Sequence, residues 1–457
     1  MRVPYELRLL FGLYLIQGIS FAFVSGALPA LLAPRSSYTL LGILSITTYP
    51  YACKVLLAPI IDAYWLPSFG RRKSWTVPCT AISGILLAVI ALSIDSIVEE
   101  ATTTGISWLA VQLFLVFLFL AAQDVAVDAW ALDLLAGDRL AYAASIQTVG
   151  MSTGNLLGYP ILVSLQAHIS LRTFLLGVAA VHVALSAAML AVHEVSGDKP
   201  PRLRAVFDEL CGTIASPESL RILAVSIVSR LGVAMWDTTA PVFYLKLEGA
   251  QRQHIAIFVI LQAPVALCTS VAAAHLLAKR TSLTPERILA RAYLLLMIAT
   301  ICTLIALHLH RVGDPVASAV TFVCATMLTI GNKAWWTGQG TLFNRVVSRS
   351  AMDSRASHLT LLYSFADVGK FGPKPLTFIV ADLVGFSGSC ACFVLMGLAA
   401  WPIITCLLAR LEADQQRVPY APAPMHGYKL RSRSRDKQRS PLVPVAARGS
   451  SIPAVRI

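Results

Sequence analysis

Long apolar runs alternate with short polar segments along the whole first nine-tenths of the chain. Each run is about 18–26 residues long, and an α-helix needs roughly 20 apolar residues to cross the hydrocarbon core of a bilayer. The pattern therefore predicts an all-α membrane protein with twelve spanning helices. The predicted spans are residues 9–32, 38–61, 75–92, 107–130, 141–165, 171–192, 220–245, 255–277, 288–309, 315–336, 358–381 and 390–411.

A polar stretch in the middle of the chain separates the first six spans from the last six. It predicts an N-terminal half at 1–192, a cytosolic linker at 193–219 and a C-terminal half at 220–411. The remaining residues, 412–457, are rich in Pro, Ser and Arg. Such a composition buries too little apolar surface to offset the entropy cost of ordering, so we expect a disordered basic tail.

Lys and Arg are distributed unequally between the two sides of the predicted bundle. The loops on the side of the two termini hold most of them, including the run Arg71, Arg72 and Lys73. The positive-inside rule then predicts that both termini are cytosolic. We also expect the first span to be retained, because it is too long for the apolar region of a signal peptide.

The composition narrows the class of protein further. The chain has 457 residues, of which 56% are hydrophobic and only 13% are charged, and soluble domains carry about 25% charged residues. The net charge of +13 is spread over loops and the tail, and the sequence contains no nucleic-acid-binding module. Cationic loops that set the membrane topology, and an anionic substrate, therefore explain this charge better than nucleic-acid binding does. The nine cysteines lie mostly inside apolar runs, which predicts buried thiols and no metal site or cofactor.

The loop between the second and third spans has the most informative sequence. Lys54 and Asp62 lie in the second span, and Gly70 precedes the cationic run of residues 71–73. Asp62 is expected to end a helix at the water boundary, Gly70 to allow a sharp turn, and the cations to anchor the loop on the cytosolic side. These charged residues are candidates for a conformational gate.

Together with the segments Gln123–Leu132 and Ala141–Ser145, this loop resembles the acetyl-coenzyme A transporter family of the major facilitator superfamily. The related bacterial muropeptide permeases share the loop and part of the fourth span. The resemblance implies a twelve-helix major facilitator fold in which two six-helix halves rock about a central site. It also implies transport of acetyl-CoA from the cytosol into the endoplasmic reticulum, with the Golgi as the alternative location. Asp367 departs from the family, which is more often neutral there.

Coenzyme A carries a diphosphate and a 3′-phosphate, so a carrier for its thioester needs cations within the membrane. Ionisable residues inside spans are costly and usually face a water-filled pathway or a charged partner. Tyr363 is an aromatic candidate for stacking on adenine. The cationic candidates for binding the substrate are Arg230, Lys333, Lys370 and Lys374.

Each of these candidates also has a structural interpretation. Arg230 lies seven residues before Asp237, so the two can form a gate pair on one helix face. Lys333 can extend towards the membrane surface from a helix end. Aromatic residues such as Tyr363 also serve in core packing or as interface anchors.

Two aspartates of the fourth span, Asp124 and Asp128, are spaced so that both side chains lie on one side of a helix. Their proximity can create a proton site. We favour the alternative, a charge-paired gate with Lys54, Asp62 or the cationic run.

The sequence leaves two other functions open: a muropeptide or other anionic-sugar permease with proton coupling, and an integral-membrane acetyltransferase. It contains no phosphate-binding loop of the Gly-Lys-Ser/Thr type and no Ser-His-Asp set, so we expect neither an ATP-driven pump nor an enzyme. Membrane lipids are the other expected partners. Uniport, proton symport and exchange with free CoA are not distinguished, and the oligomeric state is unknown.

Overall fold

The computed structural model describes residues 5–134, 141–192, 194, 203–236, 238–247, 249–278, 284–310, 314–347 and 355–417. Within these ranges the regular structure is helical, and no strand is present. The helices of the first half are α1 Tyr5–Ala22, α2 Leu28–Leu32, α3 Tyr38–Ser45, α4 Tyr49–Ala52, α5 Ala58–Ala63, α6 Lys73–Ala91, α7 Ile94–Glu100, α8 Thr103–Leu134, α9 Ala141–Leu156, α10 Leu162–Leu165 and α11 Leu171–Leu190. Those that follow are α12 Leu203–Ile214, α13 Pro217–Leu231, α14 Thr239–Leu245, α15 Arg252–Ala278, α16 Pro285–His308, α17 Pro315–Val347, α18 Arg355–Phe371 and α19 Lys374–Arg417.

All twelve predicted spans fall on helical segments. Among the described residues, eight helices are long and apolar enough to cross a membrane alone, or nine if one bent helix pair counts as a span. This count is lower than the twelve predicted spans for two reasons. Some spans are divided into short helices, and α19 joins the end of one span to the next around Gly385, whose φ is 74°. Because the number of predicted spans is even, the start of the first span and the end of the last span lie on the same side of the bundle. We call this side the terminal face and the other side the opposite face.

Several spans that the sequence predicts as continuous are interrupted. A π-helical turn at Phe23–Ala27 joins α1 to α2, and another at Leu157–Ile161 joins α9 to α10. Pro29 and Pro160 explain these turns, because a proline has no N–H donor and its ring crowds the carbonyl of the preceding turn. The second span contains the 3₁₀ turns Ile46–Thr48 and Lys54–Leu56.

The C-terminal spans are interrupted in a similar way. The seventh span breaks between α13 and α14, and the eleventh breaks at Gly372 and Pro373, between α18 and α19. At the end of the domain α19 continues to Arg417, past residue 412, where the sequence predicts the start of the tail. Residues 418–457, together with residues 193 and 195–202 of the linker, lie outside the described residues.

Helices α1 and α9 pack closely through small residues. Gly150, Gly154 and Gly158 recur every fourth residue along α9 and its continuation, and they lie against the backbone of α1. A Cβ atom built on Gly154 would lie 2.2 Å from the carbonyl oxygen of Leu15. Backbones approach this closely only where the side chains are small, a common form of helix contact in membranes. This contact fixes the first and fifth spans against each other.

We predict that Gly154→Ala lowers the thermal unfolding temperature in detergent, because its methyl group forces α1 and α9 apart at a cost of about 1–3 kcal/mol. Gly177→Ala is the matched control, since a Cβ there meets nothing within 4 Å. The control should leave the unfolding temperature unchanged or raise it slightly. Equal shifts in the two variants would contradict the packing argument.

Candidate functional site

Lys54 lies between two carboxylates from opposite halves of the protein. Its Nζ is 3.2 Å from Oδ2 of Asp124 on α8 and 3.0 Å from Oδ2 of Asp367 on α18. The Lys54 and Asp124 side chains are only 8% and 7% exposed, and that of Asp367 is 19% exposed. The 3₁₀ turn Lys54–Leu56 interrupts the second span at this point and carries the lysine. The three residues form an ionic bridge between the halves.

Asp128 lies one turn from Asp124 but has different partners. The Tyr14 hydroxyl donates to its Oδ1 at 2.8 Å, and Nε2 of Gln147 donates to the same atom at 3.0 Å. These partners are neutral and belong to the same half as Asp128. The two aspartates therefore differ: Asp124 pairs with a cation, whereas Asp128 accepts from neutral donors.

The cationic loop forms a separate cluster at the terminal face. Asp62 Oδ1 accepts from Arg71 Nη2 at 2.7 Å and from Arg72 Nη1 at 3.2 Å. Gly70 has a φ of 104°, in the left-handed region that favours glycine, so the turn predicted there is present. Lys73 Nζ donates to the carbonyl oxygens of Leu190 and Val192, at 3.2 and 2.9 Å, near the end of α11.

Glu194, which the sequence analysis did not identify, completes this loop. Its carboxylate accepts from the backbone N–H groups of Arg72 and Lys73, at 2.8 and 2.9 Å. These amides begin α6, where the helix dipole favours an anion. Lys54 is the cationic partner of Asp124, and the role of this pair as a gate stays a prediction.

Three cations of the C-terminal half gather around two aromatic rings. Cζ of Arg230 lies 5.2 Å from the ring centroid of Trp336, and Nζ of Lys370 lies 5.7 Å from the same centroid. Lys370 and Lys374 each lie 5.0 Å from the ring centroid of Phe371. These distances allow cation–π attraction. We call these five residues the cationic cluster.

Arg230 and Lys374 are buried, at 5% and 6% exposure, although both carry charge. Nη1 of Arg230 also donates to Oδ1 of Asn332 at 3.1 Å. Asn332 and Trp336 are one turn apart on α17, so this helix orients the guanidinium from two points. Trp336 thus brings Arg230 and Lys370 together.

The other sequence candidates lie as follows. Lys333 is half-buried well inside α17, which continues to Val347, and so it is not at a helix end as expected. Tyr363 is 37% exposed and packs edge-on against Phe343, with ring centroids 5.3 Å apart. Asp237, the predicted partner of Arg230, lies outside the described residues.

One helix face connects the ionic bridge to the cationic cluster. Asp367, Lys370 and Lys374 occur at spacings of three and four residues, along α18 and into the first residue of α19. Asp367 and Lys370 therefore share a face of α18, and Lys374 follows just beyond the break at residues 372 and 373. A displacement of α18 moves the carboxylate that holds Lys54 together with Lys370.

Polar contacts also join the halves at the opposite face. Oδ1 and Oδ2 of Asp382 accept from the backbone N–H groups of Tyr38 and Thr39, at 3.1 and 2.5 Å, at the start of α3. Lys246 Nζ donates to the carbonyl oxygen of Ser36 at 2.8 Å. Burial lowers the pKa of Lys246, and the nearby Asp382 carboxylate opposes that shift. These contacts close the bundle between the halves at this end.

The arrangement suits an organic anion more than a metal ion. Within the described part of the chain, no group of three or more His, Cys, Asp or Glu residues is placed to hold a metal. The cationic cluster offers planar and point-like donors beside aromatic faces, which suits phosphates attached to a base.

Comparison with known sequences gives a family match in the first half of the chain. Residues 6–187 match the family described as acetyl-coenzyme A transporter 1. An uncharacterised protein of Schizosaccharomyces pombe is 41% identical over 150 residues, which is 33% of this chain and 29% of that protein. The anhydromuropeptide permease of Escherichia coli K12 is 28% identical over 142 residues, 31% of this chain and 28% of the permease. The match thus spans less than a third of the length of each of these two relatives.

Solved structures resemble the chain over most of its length. A bacterial homologue of the human lysosomal transporter Spinster, in an inward-facing and unoccupied conformation, has a TM-score of 0.61 at 17% identity and covers 93% of this chain and 100% of its own. A D-xylose–proton symporter has a TM-score of 0.62 at 13% identity and covers 87% of this chain and 96% of its own. These likenesses confirm the predicted fold class, a multi-pass, all-α major facilitator fold.

The resemblance stated from the sequence is also confirmed, since this chain carries the pattern of the acetyl-coenzyme A transporter family over residues 6–187, on a major facilitator fold.

Proposed function

We propose that this protein is a secondary transporter that moves acetyl-CoA from the cytosol to the lumen of an endomembrane organelle by alternating access. The cationic cluster is the observation that carries the proposal. Acetyl-CoA has several phosphates and an adenine ring, and Arg230, Lys370 and Trp336 bring two cations and an aromatic face together in the C-terminal half. Arginine suits bidentate contacts with phosphate oxygens.

The ionic bridge supports a rocking motion of the two halves. Lys54 and Asp124 belong to the N-terminal half, and Asp367 belongs to the C-terminal half. When the halves separate at this point, Lys54 loses Asp367 but keeps Asp124 as a partner. The buried lysine thus keeps a counter-charge, and the carboxylate that loses its contact is the more exposed of the two.

The location and orientation of the transporter belong to the same proposal. The excess of Lys and Arg in the loops of the terminal face supports cytosolic termini. The family match supports an endomembrane, for which we propose the endoplasmic reticulum, with the Golgi as the alternative.

A muropeptide or other anionic-sugar permease with proton coupling is the second candidate. It is favoured by the similarity to the Escherichia coli permease, although that match covers 31% of this chain. An acetyltransferase is the third candidate, and it has no support in the described site beyond the proposed affinity for acetyl-CoA.

Uptake of doubly labelled acetyl-CoA into proteoliposomes tests the function. One label is placed on the acetyl group and the other on the adenine, and protein-free liposomes are the control. We expect both labels to be retained in a constant ratio, without competition from an anhydromuropeptide. Loss of the acetyl label from the retained molecules indicates acetyl transfer, and uptake of anhydromuropeptide in place of acetyl-CoA supports the permease.

We predict that Arg230→Ala and Lys370→Ala each weaken uptake of acetyl-CoA, because each removes a charge-assisted contact with phosphate, about 1.5–3 kcal/mol. Arg172→Ala, at an exposed cation, is the control and should have no effect. The measurement compares acetyl-CoA with its 3′-dephospho analogue. If a substituted cation contacts the 3′-phosphate, its variant should lose a smaller fraction of wild-type uptake with the analogue than with acetyl-CoA. Equal fractional losses for both substrates in both variants would rule out contact with the 3′-phosphate.

We predict that Asp124→Asn and Asp128→Asn slow uptake but leave its relative response to an imposed pH gradient unchanged. Both carboxylates have partners in the structure, and exchange of acetyl-CoA for CoA requires no proton. Initial rates with and without the gradient give the ratio to compare with wild type. A gradient response that disappears in either variant, with the protein still folded, would show that the residue carries a proton and would favour symport.

A further inference from the structure

A narrow cavity lies between the halves, next to Lys374 on the side of the opposite face. Val24, Leu41 and Phe378 form apolar parts of its wall. Ser25, Thr48 and Thr238 contribute hydroxyl groups, and Lys374 also lines it. The cavity thus combines one buried cation and several hydroxyls with an apolar surface.

The polar residues of the cavity lie where spans depart from α-helical geometry. Ser25 is part of the π-helical turn Phe23–Ala27, and Thr48 ends the 3₁₀ turn Ile46–Thr48. Thr238 lies in the break before α14, and Lys374 begins α19. Irregular backbone at membrane depth is tolerated where it is buried in protein or lines a cavity. Interrupted helices in corresponding positions of two halves, here spans one and seven, are typical of a transporter's substrate site.

The hydroxyl groups around the cavity differ in their hydrogen bonds. The Thr48 hydroxyl donates to the carbonyl oxygen of Ser45 at 2.9 Å, and the Thr238 and Thr377 hydroxyls are 2.7 Å apart. The Ser25 Oγ is buried and forms no hydrogen bond within the described part of the chain. Leaving a buried hydroxyl unsatisfied is costly. A ligand atom that accepts its proton would remove this cost.

We propose that this cavity is an acyl subsite, which binds the thioester end of acetyl-CoA. The inference rests on the proposed function and specifies which end of the substrate enters the cavity. The thioester carbonyl oxygen accepts from the Lys374 ammonium and the Ser25 hydroxyl, and the acetyl methyl packs against Leu41 and Phe378. The phosphates and adenine remain at Arg230, Lys370 and Trp336.

The chemistry of the wall favours this orientation over its reverse. A diphosphate in the cavity would bring two charges against Val24, Leu41 and Phe378, where they would lose hydration without enough compensating donors. A methyl group gains from the same contact, because its apolar surface is removed from water. The apolar wall is also expected to limit acyl length, because Leu41 and Phe378 line this narrow cavity.

The proposal is tested by measuring the binding of acetyl-CoA, free CoA and butyryl-CoA to purified protein. Lys374→Met and Ser25→Ala should each lower the affinity for acetyl-CoA by about tenfold. The affinity for free CoA, which has no carbonyl at this end, should change much less. Free CoA therefore also reports whether each variant is folded. Leu41→Ala should raise the affinity for butyryl-CoA relative to acetyl-CoA by about tenfold, because it makes room for the two additional methylenes. Leu383→Ala, at a residue that is 77% exposed, is the control and should change none of these ratios.

Each outcome decides a different question. If Lys374→Met lowers the affinities for acetyl-CoA and free CoA by the same factor, Lys374 binds a phosphate and the proposed acyl subsite is wrong. An unchanged butyryl-to-acetyl ratio in Leu41→Ala likewise overturns the subsite. If wild-type protein binds none of the three CoA compounds, the proposed function itself fails, and the subsite fails with it.

Discussion

The position of Lys54 between Asp124 and Asp367 is the interaction on which the arrangement of the two halves depends. Removing one member of a buried ion pair typically costs about 3–5 kcal/mol, because the other charge is left in a medium of low polarity. The bridge avoids this cost for Lys54 during opening, since Asp124 remains its partner in the same half. The Asp367 carboxylate, whose side chain is 19% exposed, gives up the contact with Lys54. Only the contact with Asp367 has to break, so the bridge can favour one conformation without fixing it.

The helix that carries Asp367 also carries part of the cationic cluster. Lys370 lies on the same face of α18, over the Trp336 ring, and Lys374 follows at the start of α19. An anion bound to these lysines lies within two helical turns of the bridge. Binding at Lys370 and the contact between the halves therefore involve the same helix, as the proposed alternating access requires. At the opposite face, Asp382 and the amides of α3 form a second contact that must break when that end opens.

The sequence predicted much of the fold because apolar length and loop charge are local signals. The twelve spans, the turn at Gly70 and the proximity of Asp62 to the arginines of its own loop follow from residues close together in the chain. The interruptions were missed, because a proline shows that a helix is disturbed but does not show whether a π-helical turn or a break results.

Contacts between residues distant in the chain could not be predicted from one sequence. Glu194 caps α6 from more than one hundred residues away, and Asp382 binds the start of α3 from the other half. Both residues look like ordinary surface acids in the sequence. The cations Arg230, Lys370 and Lys374 are identified by the cost of charge in a membrane, but the approach of Arg230 and Lys370 to Trp336 depends on how three spans pack.

The most direct test of the bridge is a distance measurement between the halves by pulsed electron paramagnetic resonance. Spin labels are attached at residues 66 and 291, which are exposed at the terminal face of the two halves, in a background without the nine native cysteines. Asp367→Asn should shift the distribution towards longer distances without substrate. Asp128→Asn, whose partners Tyr14 and Gln147 lie in its own half, should leave it unchanged. Identical distributions in wild type and Asp367→Asn would contradict the account that the Lys54 bridge holds the two halves together.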